Sequence, residues 1–117
     1  MLSIAAGTRI FVAAGATDMR KGFDGLQGVV TGILEQDPLS GHLFLFVNRR
    51  RDKLKVLYWD GDGLAIWYRR LEQGTFQMPT IADDQKSAEI RSEELTMLLR
   101  GIDLRSARRR KRYSIAS

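Results

Sequence analysis

The chain of 117 residues carries 19 Lys and Arg against 14 Asp and Glu, a formal charge of +5, with no cysteine and an apolar fraction of 44%. Such a length suits one domain with its own core, and the lack of cysteine excludes disulfides, thiolate metal sites and thiol catalysis. No stretch reaches membrane-spanning length and no apolar export segment opens the chain, so the expected location is the cytoplasm, where the excess of basic residues suits association with the nucleoid.

In chain order, Arg9-Ile10-Phe11-Val12-Ala13-Ala14, ended by Gly15, reads as a first strand. Thr17 or Asp18 then caps a helix expected over residues 18–34. Met19, Phe23, Leu26, Val30 and Ile33 recur at helical spacing and form its core face. Gly22, Gly25, Gly28 and Gly32 make a second stripe. Each glycine inside a helix costs about 1 kcal/mol relative to alanine, which points to close packing against a sheet. The stripe lacks the strand-to-helix turn that a phosphate-binding glycine loop needs. Arg20 and Lys21 fall in the first turn of this helix, where the macrodipole disfavours cations. Either an anion such as a phosphate meets them there, or they pair with Asp24 or another acid.

Asp37-Pro38-Leu39-Ser40-Gly41 is a turn. Three apolar runs follow: Leu43-Phe44-Leu45-Phe46-Val47, the segment 54–59, and Leu64-Ala65-Ile66-Trp67-Tyr68. Their β-branched and aromatic content predicts a three-stranded antiparallel meander. Its connections are Asn48-Arg49-Arg50-Arg51-Asp52-Lys53 and Asp60-Gly61-Asp62-Gly63, the latter a strong hairpin signal. Both faces are largely apolar. Either the helix covers one and other segments the second, or an aromatic face stays open to stack bases or bind a partner. The polar segment 78–86 reads as a linker. Ser92 then caps a short helix whose core face is Leu95, Leu98 and Leu99, ended by Gly101 with Ile102.

The expected fold is therefore α+β: a small antiparallel β-sheet (meander) with one main helix packed on it, in a single domain over 1–104. A short C-terminal helix closes the domain, and a mobile basic tail spans 105–117.

Asp60 and Asp62 could suggest a calcium or magnesium pair, but a calcium loop needs further oxygen ligands that Leu64, Ala65 and Ile66 do not supply. Turn geometry accounts for both aspartates. With no serine nucleophile elbow either, no catalytic residue, metal or cofactor is expected. Cations carry the stronger signal. Arg49, Arg50, Arg51, Lys53 and Lys55 surround one hairpin against Asp52 alone. Arg105, Arg108, Arg109, Arg110, Lys111 and Arg112 form an acid-free tail, and without them 13 basic residues face 14 acidic ones. A projecting cationic β-ribbon and a basic arm suit phosphate contact. The blander alternatives are a charged hairpin tip that prevents edge pairing and a tail that keeps the protein soluble.

Several motifs stand in a recognisable order: Thr17-Asp18-Met19-Arg20-Lys21-Gly22-Phe23-Asp24-Gly25-Leu26, Gly41-His42-Leu43-Phe44, Asn48-Arg49-Arg50-Arg51-Asp52-Lys53-Leu54-Lys55 and Tyr58-Trp59-Asp60-Gly61-Asp62-Gly63-Leu64. Together they resemble the small TnpB-type accessory protein, the second open reading frame product of a three-gene class of bacterial insertion sequences. That protein is distinct from the RNA-guided nuclease sharing the name. The resemblance covers residues 9 to 105. It implies a role in DNA transposition beside a separate transposase, and it implies no catalytic residues. The combined expectation is a non-catalytic, DNA-binding accessory factor whose partners are the insertion-sequence ends and the transposase. Arg20, Lys21, the hairpin cations and the tail would supply the DNA contacts. The alternatives are an adaptor that engages the transposase without touching DNA, and a metal-dependent nuclease using Asp60 and Asp62.

Overall fold

The computed structural model describes residues 4–101. Strands β1 (Ile10–Ala13), β2 (Leu43–Val47), β3 (Lys53–Trp59), β4 (Leu64–Arg70) and β5 (Ser87–Ile90) form one sheet in the order β4-β3-β2-β1-β5. Helix α1 (Phe23–Gly32) lies between β1 and β2 in the chain, and α2 (Ser92–Leu99) follows β5. The meander expected from the three apolar runs is present as β2-β3-β4, with Val47 opposite Leu54 and Trp59 opposite Leu64. Its second connection is a turn of the kind that Asp-Gly pairs favour. Asp60 Oδ1 accepts hydrogen bonds from the amides of Asp62 and Gly63, both at 3.0 Å, and Gly61 adopts φ +104°.

The sheet is mixed rather than purely antiparallel. β1 runs parallel to β2, with Ile10 opposite Leu43, and parallel neighbours require a crossover, which α1 provides. β5 pairs antiparallel with the other edge of β1, Ile10 opposite Ile90. This strand was not expected: Ser87-Ala88-Glu89-Ile90 offers only two apolar residues, and its pairing is set by β1.

Helix α1 begins at Phe23, five residues later than predicted, with Gly22 as N-cap and no side-chain cap bond. Asp18 bends the preceding segment instead, its carboxylate accepting from the Arg20 amide at 2.9 Å and its carbonyl from the Lys21 amide at 3.1 Å. The buried stripe is Leu26, Val30 and Leu34, whereas Phe23 and Ile33 are about half exposed. The glycine stripe does not approach the sheet. A Cβ at Gly22, Gly28 or Gly32 would meet nothing within 4 Å, and at Gly25 it would meet the Lys21 side chain.

Both sheet faces are covered. On one, α1 packs Leu26, Val30 and Leu34 over Phe11, Phe44, Phe46 and Leu57, with the Phe11 and Phe44 rings stacked at 5.6 Å. On the other, Leu95 and Leu98 of α2 and Phe76 of the 71–86 segment cover Ile10, Val12, Leu45 and Val56. Burying each such side chain is worth about 1.5–3 kcal/mol. The phenylalanines at the centre of the sheet are therefore core, whereas Tyr58, Trp59 and Trp67 are partly buried and Tyr68 on β4 is about half exposed. Arg91 is the N-cap of α2, one residue before the expected Ser92, and its amide donates to Glu94 Oε1 at 3.1 Å. Gly101 closes α2 at φ +75°, its amide donating to the Leu98 carbonyl. Ile102 lies outside the described residues, as does the expected tail. Among the described residues no helix is long and apolar enough to cross a membrane.

Candidate nucleic-acid interface

The five-residue connection from β2 to β3 is built by Asn48. Its side-chain oxygen accepts from the amides of Asp52 at 3.1 Å and Lys53 at 3.0 Å, and its side-chain nitrogen donates to Asp52 Oδ1 at 2.7 Å. Asp52, the one acid in the turn, is thus engaged by Asn48 and not by an arginine. That bond, reinforced by the fields of Arg50 and Lys53, holds its carboxyl below the ordinary aspartate range. Arg51 sits in the left-handed region at φ +60°, a conformation that non-glycine residues seldom adopt. It is fixed there from behind: the Phe76 amide donates to the Arg51 carbonyl and the Leu71 amide to the Asp52 carbonyl, both at 2.7 Å.

The consequence is a rigid turn that presents three exposed arginines. Among the described residues, Arg49, Arg50 and Arg51 form no ion pair. Lys53 is half-buried beside them, and Lys21 is exposed. The segment after β1 docks against the same end of the sheet through the Thr17 amide, which donates to the Val47 carbonyl at 2.8 Å. A depression of about 380 Å³ brings Asp18 and Met19 together with Asn48, Arg49, Arg50 and Lys53. Arg49, Arg50, Arg51 and Lys53 therefore belong to one end of the molecule, and Lys21 is tied through its carbonyl to Lys55, two residues after Lys53 on β3.

Two expected contributors are placed differently. Arg20 is exposed, but its guanidinium grips Asp18 with Nη2 to Oδ2 at 2.7 Å. The bond pulls the Asp18 carboxyl down to about 2. The pairing alternative is thus met for Arg20 by Asp18 in place of Asp24. Lys55 does not face solvent at all: it is 8% exposed, and its ammonium donates to the carbonyls of Met19 and Lys21, both at 2.8 Å, above the ring of Tyr68. It holds the 19–21 segment in place and leaves the set of surface cations. Arg105, Arg108, Arg109, Arg110, Lys111 and Arg112 lie outside the described residues.

A larger groove of about 840 Å³ opens on the other side of the turn, where β1 and β2 end and β5 begins. Arg49 and Arg51 line it from the β2 side, and Lys86 lines it from the β5 side. The segment 78–83, expected only to link, forms a wall. Lys86 carried no sequence signal, because nothing local reveals that β5 pairs with β1. Asp60 and Asp62 stand at the β3–β4 turn, where the Asp60 carboxylate accepts from the amides of Asp62 and Gly63. Among the described residues no three of His, Cys, Asp and Glu converge to hold a metal ion.

Comparison with known proteins yields a consistent grouping. The family model described as IS66 Orf2 like protein matches residues 8–109. The uncharacterized protein y4jC of Sinorhizobium fredii (strain NBRC 101917 / NGR234) is 34% identical over 110 residues, covering 94% of this chain and 92% of the relative. The uncharacterized protein y4hO of the same strain is 38% identical over 105 residues, 90% of each chain. No solved structure is a significant match.

Proposed function

The chain belongs to the IS66 Orf2-like family, accessory to transposition, and on that premise we propose that it serves the process by binding DNA, without chemistry of its own. It acts beside the separate transposase, at the ends of the insertion sequence. The observation that carries this reading is the turn itself: three adjacent exposed arginines, rigidly mounted, with no acid of the described chain paired to them. A protein that places such charges together without neutralising them has arranged an electrostatic footprint for a polyanion. Arg49, Arg50 and Arg51 contact phosphates, Lys53 and Lys21 extend the surface, and Arg20 contributes through the charge network it shares with Asp18. The tail cations Arg105, Arg108, Arg109, Arg110, Lys111 and Arg112 add a second contact region. Phosphate contacts of this kind fix position on the duplex more than they read sequence.

The adaptor alternative drew on an open aromatic face and on the tail; the centre of the sheet is covered on both faces, Tyr68 at its β4 edge is half exposed, and the tail lies outside the described residues. The nuclease alternative drew on Asp60 and Asp62, where Asp60 is bonded to turn amides. The test is a gel shift with duplexes carrying the element's ends and with random duplexes. The full chain is expected to shift both and to prefer the ends. The combined variant R49A/R50A/R51A, folded by circular dichroism, is expected to bind at least about tenfold more weakly at low salt. Retention of the transposase in a pull-down that survives nuclease, with no DNA shift at any salt, would contradict the proposal in favour of an adaptor.

A further inference from the structure

The larger groove is not used by a duplex lying across the arginine turn. The geometry points to an unpaired DNA strand as its occupant, an inference that rests on the DNA-binding reading above. Parallel strands β1 and β2 both end at this groove, the position where open sheets with parallel strands commonly receive ligands. Its mouth spans the ends of β2, β1 and β5, two inter-strand spacings, or about 10 Å. A B-DNA duplex carries a backbone on either side of a major groove about 12 Å wide, so the whole helix is broader than this mouth. A volume of about 840 Å³ therefore has room for a short single strand and excludes the duplex.

The lining matches that occupant in chemistry as well as in size. Arg49 and Arg51 on one side and Lys86 on the other face a single acid, Asp83, so the rim is cationic. Between them the floor is the small-residue run at the end of β1, and the wall is mixed, with Pro79 beside exposed Thr80 and Ala82, while Met78 and Ile81 pack partly into the core. Single-strand sites combine a cationic track for the backbone with flat groups on which bases stack, and with no aromatic side chain in this lining the guanidinium planes of Arg49 and Arg51 serve that purpose. An acidic peptide would satisfy the cations but would offer no planar base faces to the guanidiniums of Arg49 and Arg51. An unpaired strand supplies both, and it is what a cleaved or melted DNA end presents. Arg49 lines both this groove and the smaller depression, so one side chain joins the duplex-binding ridge to the single-strand path.

The experiment measures binding of the full chain to a labelled blunt duplex and to the same duplex bearing a short thymidine extension. The extended DNA is expected to bind about tenfold tighter at moderate salt. Its salt slope is expected to be steeper by about 0.7, because Lys86, the groove cation that the duplex does not already use, neutralises one single-strand phosphate. The variant T80L/A82L adds bulk at two exposed positions that line only this groove, and K86A removes its far cation. Both are expected to lose the extension preference while binding blunt duplex as the parent does. Equal affinity for blunt and extended DNA would overturn the inference and leave the arginine ridge standing. A preference unaffected by T80L/A82L would overturn the assignment to this groove. Binding of a labelled polyglutamate peptide that T80L/A82L abolishes, with no extension preference, would give the groove to a protein strand and overturn the inference as well. Failure to bind any DNA would remove the reading on which it rests.

Discussion

Lys55 and Arg20 show that equal charges close in space do unlike work. Lys55 hydrogen-bonds two backbone carbonyls from a nearly buried position, so its role is to fix the segment that carries Lys21. Lys55→Met keeps the stem but strands both carbonyls, and charged hydrogen bonds of this kind contribute about 2 kcal/mol. Urea unfolding is expected to show a loss of that size with an unchanged m-value. Arg20 instead governs Asp18. Because the folded Asp18 carboxyl is lowered from 3.8 to about 2, the pair's contribution is complete above the ordinary aspartate pKa and fades as pH falls through about 2. A carboxyl titration followed by NMR is expected to place Asp18 near 2, and Arg20→Gln to return it towards 3.8. A value near 3.8 in the parent would show that the pair does not persist in solution. The turn arginines were legible in the sequence because clustered charge bounded by apolar runs needs no tertiary information. The fate of Lys55 was not, since strand alternation assigns a side chain to a face but says nothing of the acceptors awaiting it there.

At the scale of elements, α1 gives the sharpest test. Gly28 sits within the helix, and a Cβ there would meet open space, whereas at Gly25 it would lie 3.0 Å from Lys21 Cβ. Gly28→Ala is therefore expected to stabilise the protein by about 0.5–1 kcal/mol through the lost flexibility of the unfolded chain. Gly25→Ala should gain less or nothing. Thermal unfolding of the two variants side by side decides between this account and the close packing that the stripe first suggested, under which Gly28→Ala would destabilise. The meander was legible because its three runs are long, apolar and separated by turn chemistry. The start of α1 was not: Thr17 and Asp18 are good caps by type, but Asp18 spends its carboxylate on Arg20 and the 19–21 carbonyls go to Lys55. β5 escaped notice for the opposite reason, since four residues with little β-propensity become a strand only because β1 offers an unpaired edge.

Across the whole molecule, the arrangement is a sheet packed on both faces whose one end gathers its available cations. Apart from the six tail cations, the chain is close to neutral, 13 basic against 14 acidic residues. Affinity for a polyanion therefore depends on where charge is placed, not on its sum. The β2–β3 turn places three arginines together, and the groove beside it adds Lys86 from a segment far away in sequence. The family fixes the process as transposition, while the turn supports direct contact with DNA as the means. The measurement that tests this most directly is the dependence of duplex affinity on salt for the full chain and for R49A/R50A/R51A. Each phosphate neutralised on a duplex contributes a slope of about −0.9, so removing three contacts is expected to flatten the plot by about 2.7. Identical slopes for the two proteins would show that these arginines touch no phosphate and would contradict the account.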